Sequence, residues 1–527
     1  MAAGAEETPS RPSSPGPRRG SSFSSCELSV RTDPELLRAV TLSEALCGWG
    51  KHWDAENGGM PRADAANYRL SQPVVVYDAF LSHDWGSGRW LKLLSLLIVF
   101  NSGPAFCSSL LVSIAVGILR GMGVLPDELW TVIFGHVTFV LVLSFWQRIR
   151  SVCRPCLVFF DKLCVAQHDD VLKQRGILAI AAFLLSSRRL VVLLTPQYFS
   201  RLWCTFEVAT FMKDPERRKQ ICFMPLKTAL LFLLFSACWH LLVFGFAVLR
   251  RLRSEQAGAG VLVLAMMFVL WAVLGPMLFY LEMGMIGDFE GIPTQLGRFR
   301  IQDAHCFCCT HGHRHPLTRE EIPCDRVLVY NSLQRWYGQD HLESFNRLVR
   351  EHLAGSVGRG ARGFMLPVNY AVYMVLSSNL PYVADPISVF FARTSDSDLS
   401  GIVLLTWCLR QLVDWGIVGL SSILSVRLSV PLCRLGLRLP VHRCVAALLM
   451  APVLFLAIAV VWAPVRIFLR FTSEDNPLPA VLFVVWLAAA VGLFSPCPCR
   501  ASMPERALEG KASPSQHPTE DSDHFSI

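Results

Sequence analysis

The sequence predicts a polytopic α-helical membrane protein that carries a discontinuous cytosolic α/β domain. Three observations predict it. Hydrophobic residues make up 52% of the 527-residue chain and charged residues only 17%, a balance one water-soluble core could not hide. Eight apolar runs approach the roughly 20 residues needed to cross about 30 Å of hydrocarbon. Short runs rich in β-branched residues stand on both sides of the first pair of these spans, as though one sheet were interrupted by membrane.

Residues 1–35 open with MAAGAEETPSRPSSPGPRRG, which is small, polar and Pro-rich with no apolar signal core, so a disordered cytosolic tail is expected. Residues 74–90 begin with VVVYDAF, the first strand of the α/β domain. Residues 91–147 are an inserted transmembrane hairpin with spans at 98–119 and 128–147; Gly103-Pro104 predicts that 90–99 is a helix of its own. Residues 148–225 complete the domain. LVFFD (157–161), RLVVLLT (189–195) and QICFMPL (220–226) read as strands, and DDVLKQRGILAIAAFLLSS has helical spacing between the first two, which predicts a parallel sheet. Residues 226–281 form a second hairpin, with spans at 226–249 and 258–281. A cytosolic Cys/His-rich helical module occupies 282–365, and its stretch 326–354 is amphipathic. Spans at 366–392, 399–424, 445–465 and 477–494 fill 366–494, and 495–527 is a second disordered tail.

An even number of crossings returns the chain to the side where the remaining strands must pair. With a cytosolic amino terminus, 148–225, 282–365, 425–444 and the carboxyl tail fall inside, and most arginine clusters agree; Arg250, Arg251 and Arg253 do not. The net charge of +8 therefore belongs to membrane topology. Lipid is the expected surroundings, and no basic run interleaved with aromatics points to nucleic acid. Many of the 18 cysteines lie in apolar runs or in cytosolic segments, so reduced thiols are expected. No Walker loop, Rossmann glycine set, kinase signature or catalytic triad stands in a fitting context.

YDAFLSH (77–83), FFDKLC, LKQRGILAIAAFLLSSRRLVVLLT and TPQYFSRLWCTFEV resemble in order and spacing the TIR (Toll/interleukin-1 receptor) domain. The whole layout is similar to a multispanning TIR-like group found in protists. The resemblance covers 74–90 and about 155–226, and implies a flavodoxin-like parallel sheet that self-associates through TIR-like contacts to transmit a signal. It also implies NAD as a substrate in the enzymatic members, cleaved at the nicotinamide glycosidic bond with the Glu of the W-C-x-x-E box, which lands on Glu207. An oxocarbenium-like ribose would be stabilised by such a carboxylate. Trp203, four residues earlier on the helix, could wall its pocket. Asp78, Ser82, Asp161 and Gly176 match positions that define the fold or line that pocket, and Asp161 could equally cap the following turn. Two readings of Glu207 stand open: a catalytic carboxylate, or an exposed helical residue in a domain that only assembles.

Two further constellations stand outside the resemblance. DAHCFCCTHGHRHPLTREEIPC (303–324) offers Cys306 and Cys309 in C-x2-C spacing, with His313, His315 and Cys324 able to close a structural Zn²⁺ site; palmitoylated or plain reduced thiols are the alternative. Asp385, Arg410 and Asp414 lie inside apolar runs. Arg410 and Asp414, four apart, form either a local intrahelical pair or, with Asp385 and Asn379, a polar path of a channel or transporter.

Overall fold

The computed structural model describes residues 34–54, 65–125, 128–252, 259–314, 319, 321–354, 368–394, 401–470, 481 and 483–485. Six strands form one sheet: β1 (Arg38–Thr41), β2 (Gln72–Pro73), β3 (Ala79–His83), β4 (Leu157–Phe159), β5 (Leu190–Leu194) and β6 (Ile221–Pro225), in the order β2-β1-β4-β3-β5-β6. β4, β3, β5 and β6 are parallel; β1 pairs antiparallel with both β4 and β2. The sheet is therefore mixed where a parallel one was expected. The antiparallel strands were not foreseen because they span four and two residues, too few to display a period of two. β3 also begins later than VVVYDAF suggested: Val75 and Val76 are 82% and 45% exposed, and the paired, fully buried run is AFLSH.

Counted by sequence, the four parallel strands take the order 2-1-3-4, so the topological switch lies between β3 and β5, where open α/β sheets form a crevice at their carboxyl edge. Alternation along β3 assigns its faces. Phe80 stacks on Phe159, which meets Phe183, whereas His83 turns to the other face against Trp53 and Phe160. The Leu202–Met212 helix lies on the Phe80 side.

The connection from β3 to β4 is a helical hairpin, Arg89–Gly121 and Glu128–Cys153. The first helix is continuous through Gly103-Pro104, so 90–99 is not a separate helix. Pro104 frees only the carbonyl of Phe100, one lost bond that a helix packed in a bundle can tolerate without breaking. Leu93, Leu96, Leu97 and Phe100 join the same buried core as the strands. The guanidinium of Arg189, just before β5, sits 4.4 Å from the Phe100 ring. The helix thus runs beside the sheet for its first 12 residues, about 18 Å, and leaves past the amino edge of the strands. The return helix is about 10 Å shorter because it comes back only to that edge, where β4 starts.

Six helices are long and apolar enough to cross a membrane among the described residues: Arg89–Gly121, Leu129–Cys153, Leu226–Val248, Trp271–Gly297, Gly401–Arg438 and Arg443–Val460. They correspond to six of the eight expected spans. The 366–392 segment instead breaks into Val368–Leu376, a 3-10 stretch Ser377–Val383 and Ala384–Thr394. Pro381 and the polar residues Ser377, Ser378 and Asn379 interrupt the α-helix there. Most of 477–494 lies outside the described residues. Glycines let the broken helix enter the bundle: a Cβ on Gly117 would stand 2.9 Å from the Ala384 backbone, and one on Gly135 2.8 Å from Pro381.

Candidate functional site

Ser82, near the carboxyl end of β3, and Glu207, in the Leu202–Met212 helix, meet at the switch between β3 and β5. Ser82 Oγ donates to Glu207 Oε2 and also shares a hydrogen bond with the Tyr198 hydroxyl. Burial lifts the Glu207 carboxyl to about 8, against a smaller opposing effect of the Ser82 bond, so it is neutral at pH 7. Tyr198 is fully buried and its hydroxyl is held well above its usual range, first by that burial. Ser82 lies in β3, one residue before its carboxyl end. Tyr198 was missed as a partner, although TPQYFS puts a tyrosine immediately after β5, at the carboxyl edge.

The 84–88 loop covers the rim. Asp84 Oδ1 accepts from Gly86 N at 3.1 Å and pairs with Arg201 Nη2 at 3.1 Å. Trp85 Nε1 donates to Asp161 Oδ2 at 2.6 Å, and the Lys162 amide donates to Asp161 Oδ1 at 2.8 Å. Asp161 thus stands at the carboxyl edge as the first residue of its turn, whose N-cap is Phe160 and not Asp161 as the capping alternative expected, and its carboxyl is raised by burial. His83 Nε2 is buried 4.0 Å from Asp161 Oδ1. Burial, then the charges of Lys92 and Lys162, hold that imidazole well below its usual range. The rim thus carries one ion pair, Asp84–Arg201, and the Trp85–Asp161 bond.

Three expected residues stand elsewhere. Asp78 is not in the crevice: it precedes β3 at the amino edge, accepting from Leu157 N at 3.0 Å and pairing with Arg188 at 3.0 Å. Gly176 lies inside the Asp170–Leu178 helix, where a Cβ would come within 3.2 Å of Val165, so it serves close packing. Trp203 turns to Phe206, at 5.8 Å, which itself stacks on Trp336 of the Cys/His module. The structure does not bring it onto Glu207.

No family model, curated protein or solved structure matches the chain. What the site can do rests on its own residues.

The Cys/His module docks on the same helix. His305 N bonds Ser200 O at 2.7 Å, Leu202 N bonds His305 O at 3.1 Å, and Phe206 stacks on Trp336 with ring centroids 5.5 Å apart. Within it, the ligand atoms of Cys308, Cys309, His313 and Cys324 all lie within 4.8 Å of one another and could hold a metal ion. Cys309 and Cys324 sulfurs are 3.7 Å apart and Cys308 and Cys309 4.0 Å. Two thiolates on a tetrahedral ion at about 2.3 Å stand about 3.8 Å apart. His313 reaches the group from a left-handed backbone, φ 59°, one residue after Gly312 at φ 61°. The expected set is corrected at one position: Cys308 replaces Cys306. Cys306 is the N-cap of the Phe307–Thr310 turn, while Cys308 lies within that turn and accepts the Asp325 amide from beside Cys324. The CFCC run was the available signal, since adjacent cysteines leave the pairing undecided. His315 lies outside the described residues.

In the bundle, Asp385 pairs with Arg120 at 2.6 Å, and Arg120 also reaches Thr131 at 3.2 Å. Arg410 is partly buried in the Gly401–Arg438 helix; Asp414 follows one turn later, its side chain outside the described residues. Asn379 is buried and donates to Ser422 at 3.2 Å. Sequence reasoning missed Glu282, fully buried, which accepts from Ser429 at 2.9 Å. It follows an apolar run directly, and that was its signal.

Proposed function

We propose that this chain is a membrane-anchored TIR-like signalling protein whose α/β domain faces the cytosol and acts by self-association, with NAD cleavage as the chemistry at Glu207. One observation supports the site above the others: a half-buried carboxyl that accepts from Ser82, whose hydroxyl Tyr198 also holds, at the switch point where open α/β folds bind ligands. Water would replace nicotinamide on the ribose, releasing ADP-ribose, nicotinamide and a proton. Ionised Glu207 would stabilise the positive charge that develops on the ribose. Two changes must precede that step: the Glu207 proton must leave, and the 84–88 loop must release Arg201 and Asp161. Contact between copies of the domain is the event proposed to release the loop, and tethering to one bilayer raises the local concentration for it. In the Cys/His module the ion proposed is structural Zn²⁺, because four protein ligands leave no position for water.

The test is NAD consumption by the purified full chain in detergent, dilute and concentrated, beside Glu207→Gln. Loss that rises with protein concentration and vanishes in the variant supports both parts. Equal loss in both proteins removes Glu207 from the chemistry. No loss in either leaves assembly alone, which light scattering or cross-linking then tests.

A second reading, a channel or transporter with this domain as regulator, is favoured by the broken helix. Irregular backbone at membrane depth is tolerated where it is buried in protein or lines a cavity, and Asn379 keeps a buried Oδ1 with no hydrogen-bond partner. Ion flux through reconstituted vesicles that Asn379→Leu abolishes would favour it over signalling.

A further inference from the structure

We propose that the Cys/His module holds two metal ions bridged by the Cys308 thiolate. The proposal rests on the reading that Cys308, Cys309, His313 and Cys324 hold a first ion, and adds a second. Cys308 also belongs to another group: Cys306, Cys308 and Asp325 offer ligand atoms within 4.8 Å of one another. The sulfurs of Cys306 and Cys308 are 3.1 Å apart, and the Asp325 amide lies 3.3 Å from Cys308 Sγ. A thiolate has lone pairs enough to bind two soft cations, and zinc accepts thiolate and carboxylate together.

Charge points the same way. Four thiolates and a carboxylate would carry five negative charges, with His313 neutral as a ligand. Cys306 and Cys308 are 4% and 1% exposed, so water cannot compensate them. One divalent ion leaves three charges unbalanced. A second leaves one, and the Arg326 guanidinium stands near, bonded to the Ala304 carbonyl two residues before Cys306.

The two ions would differ in kind. The first has four protein ligands and is closed. The second has three protein ligands, Cys306, Cys308 and Asp325, and its fourth position would face outward beside Asp325, the one ligand of the three that is only partly buried. Trp203, on the side of the helix where the module docks, would orient that carboxylate on the ion. This gives Trp203 a role away from Glu207 and places an exchangeable ion against the helix that carries Glu207.

The test uses the full chain, purified in detergent under reducing conditions and loaded with Zn²⁺ alone. Elemental analysis is expected to give two zinc ions per chain, falling to one in Cys306→Ser and in Asp325→Asn. Replacement by Co²⁺ checks the bridge without substitution. One equivalent should give a paramagnetic resonance signal, and the second should quench it by exchange through the shared thiolate. One ion per chain in wild type and both variants overturns the second ion and leaves the first standing. No bound ion overturns both. Two ions whose Co²⁺ signals simply add overturn the bridge.

Discussion

Glu207 is an acid at neutral pH because burial lifts it to about 8, and this sets the direction of every pH effect at the site. A carboxyl raised on folding contributes stability that is fully present below its unfolded value near 4.5 and is lost as pH rises through about 8. Thermal unfolding midpoints should therefore fall between pH 5 and pH 8, and Glu207→Gln should flatten that slope. The same proton makes any NAD loss climb through pH 8, up to about tenfold per pH unit below it. A rate that falls over this range would assign the chemistry to another group. Ser82 and Glu207 were legible because each sits in a strand or helix whose pattern is plain. Asp78 was not, since its meaning turns on whether β3 starts before or after it, and Val75 and Val76 prolong the apolar run although they are exposed. Cys308 needed three dimensions: nothing in CFCC says which sulfur the Asp325 amide will hold.

At the scale of elements, the four parallel strands and six long helices could be read from apolar runs, turn residues and length. The two antiparallel strands could not, and neither could the fate of 366–392, whose polar residues break the helix only because neighbours supply Ser422 and close glycine contacts. Those contacts are testable. Gly117→Ala should destabilise the bundle by about 1–3 kcal/mol, since its methyl meets backbone rather than a side chain that can move. Gly88→Ala, with nothing within 4 Å of its Cβ, should change stability by less than about 0.5 kcal/mol. Asp385→Ala should cost about 1–3 kcal/mol by leaving Arg120 unpaired in the bundle, and Arg120→Leu in the same chain should recover part of that loss. Denaturation of the detergent-solubilised variants measures all three.

For the whole molecule, hydropathy located the six long apolar helices, and the parity argument expected the chain to return to the sheet after the first two, as the hairpin Arg89–Cys153 does. Cysteines introduced at Gly123, between the hairpin helices, and at Lys219, beside β6, should react with an impermeant maleimide from opposite faces of sealed vesicles. Reaction from one face would mean that the hairpin does not cross. The first helix has a mechanical consequence as well. It bears on the sheet for its first 12 residues and continues without a joint into the bundle, so it is a lever whose short arm ends at Gly88, next to the loop that closes over Glu207. A bilayer whose thickness changes its tilt by about 10° would displace the end of that arm by about 3 Å, comparable with the length of the Asp84–Arg201 bond. If this helix crosses a membrane as proposed, bilayer thickness would reach the crevice through one continuous helix.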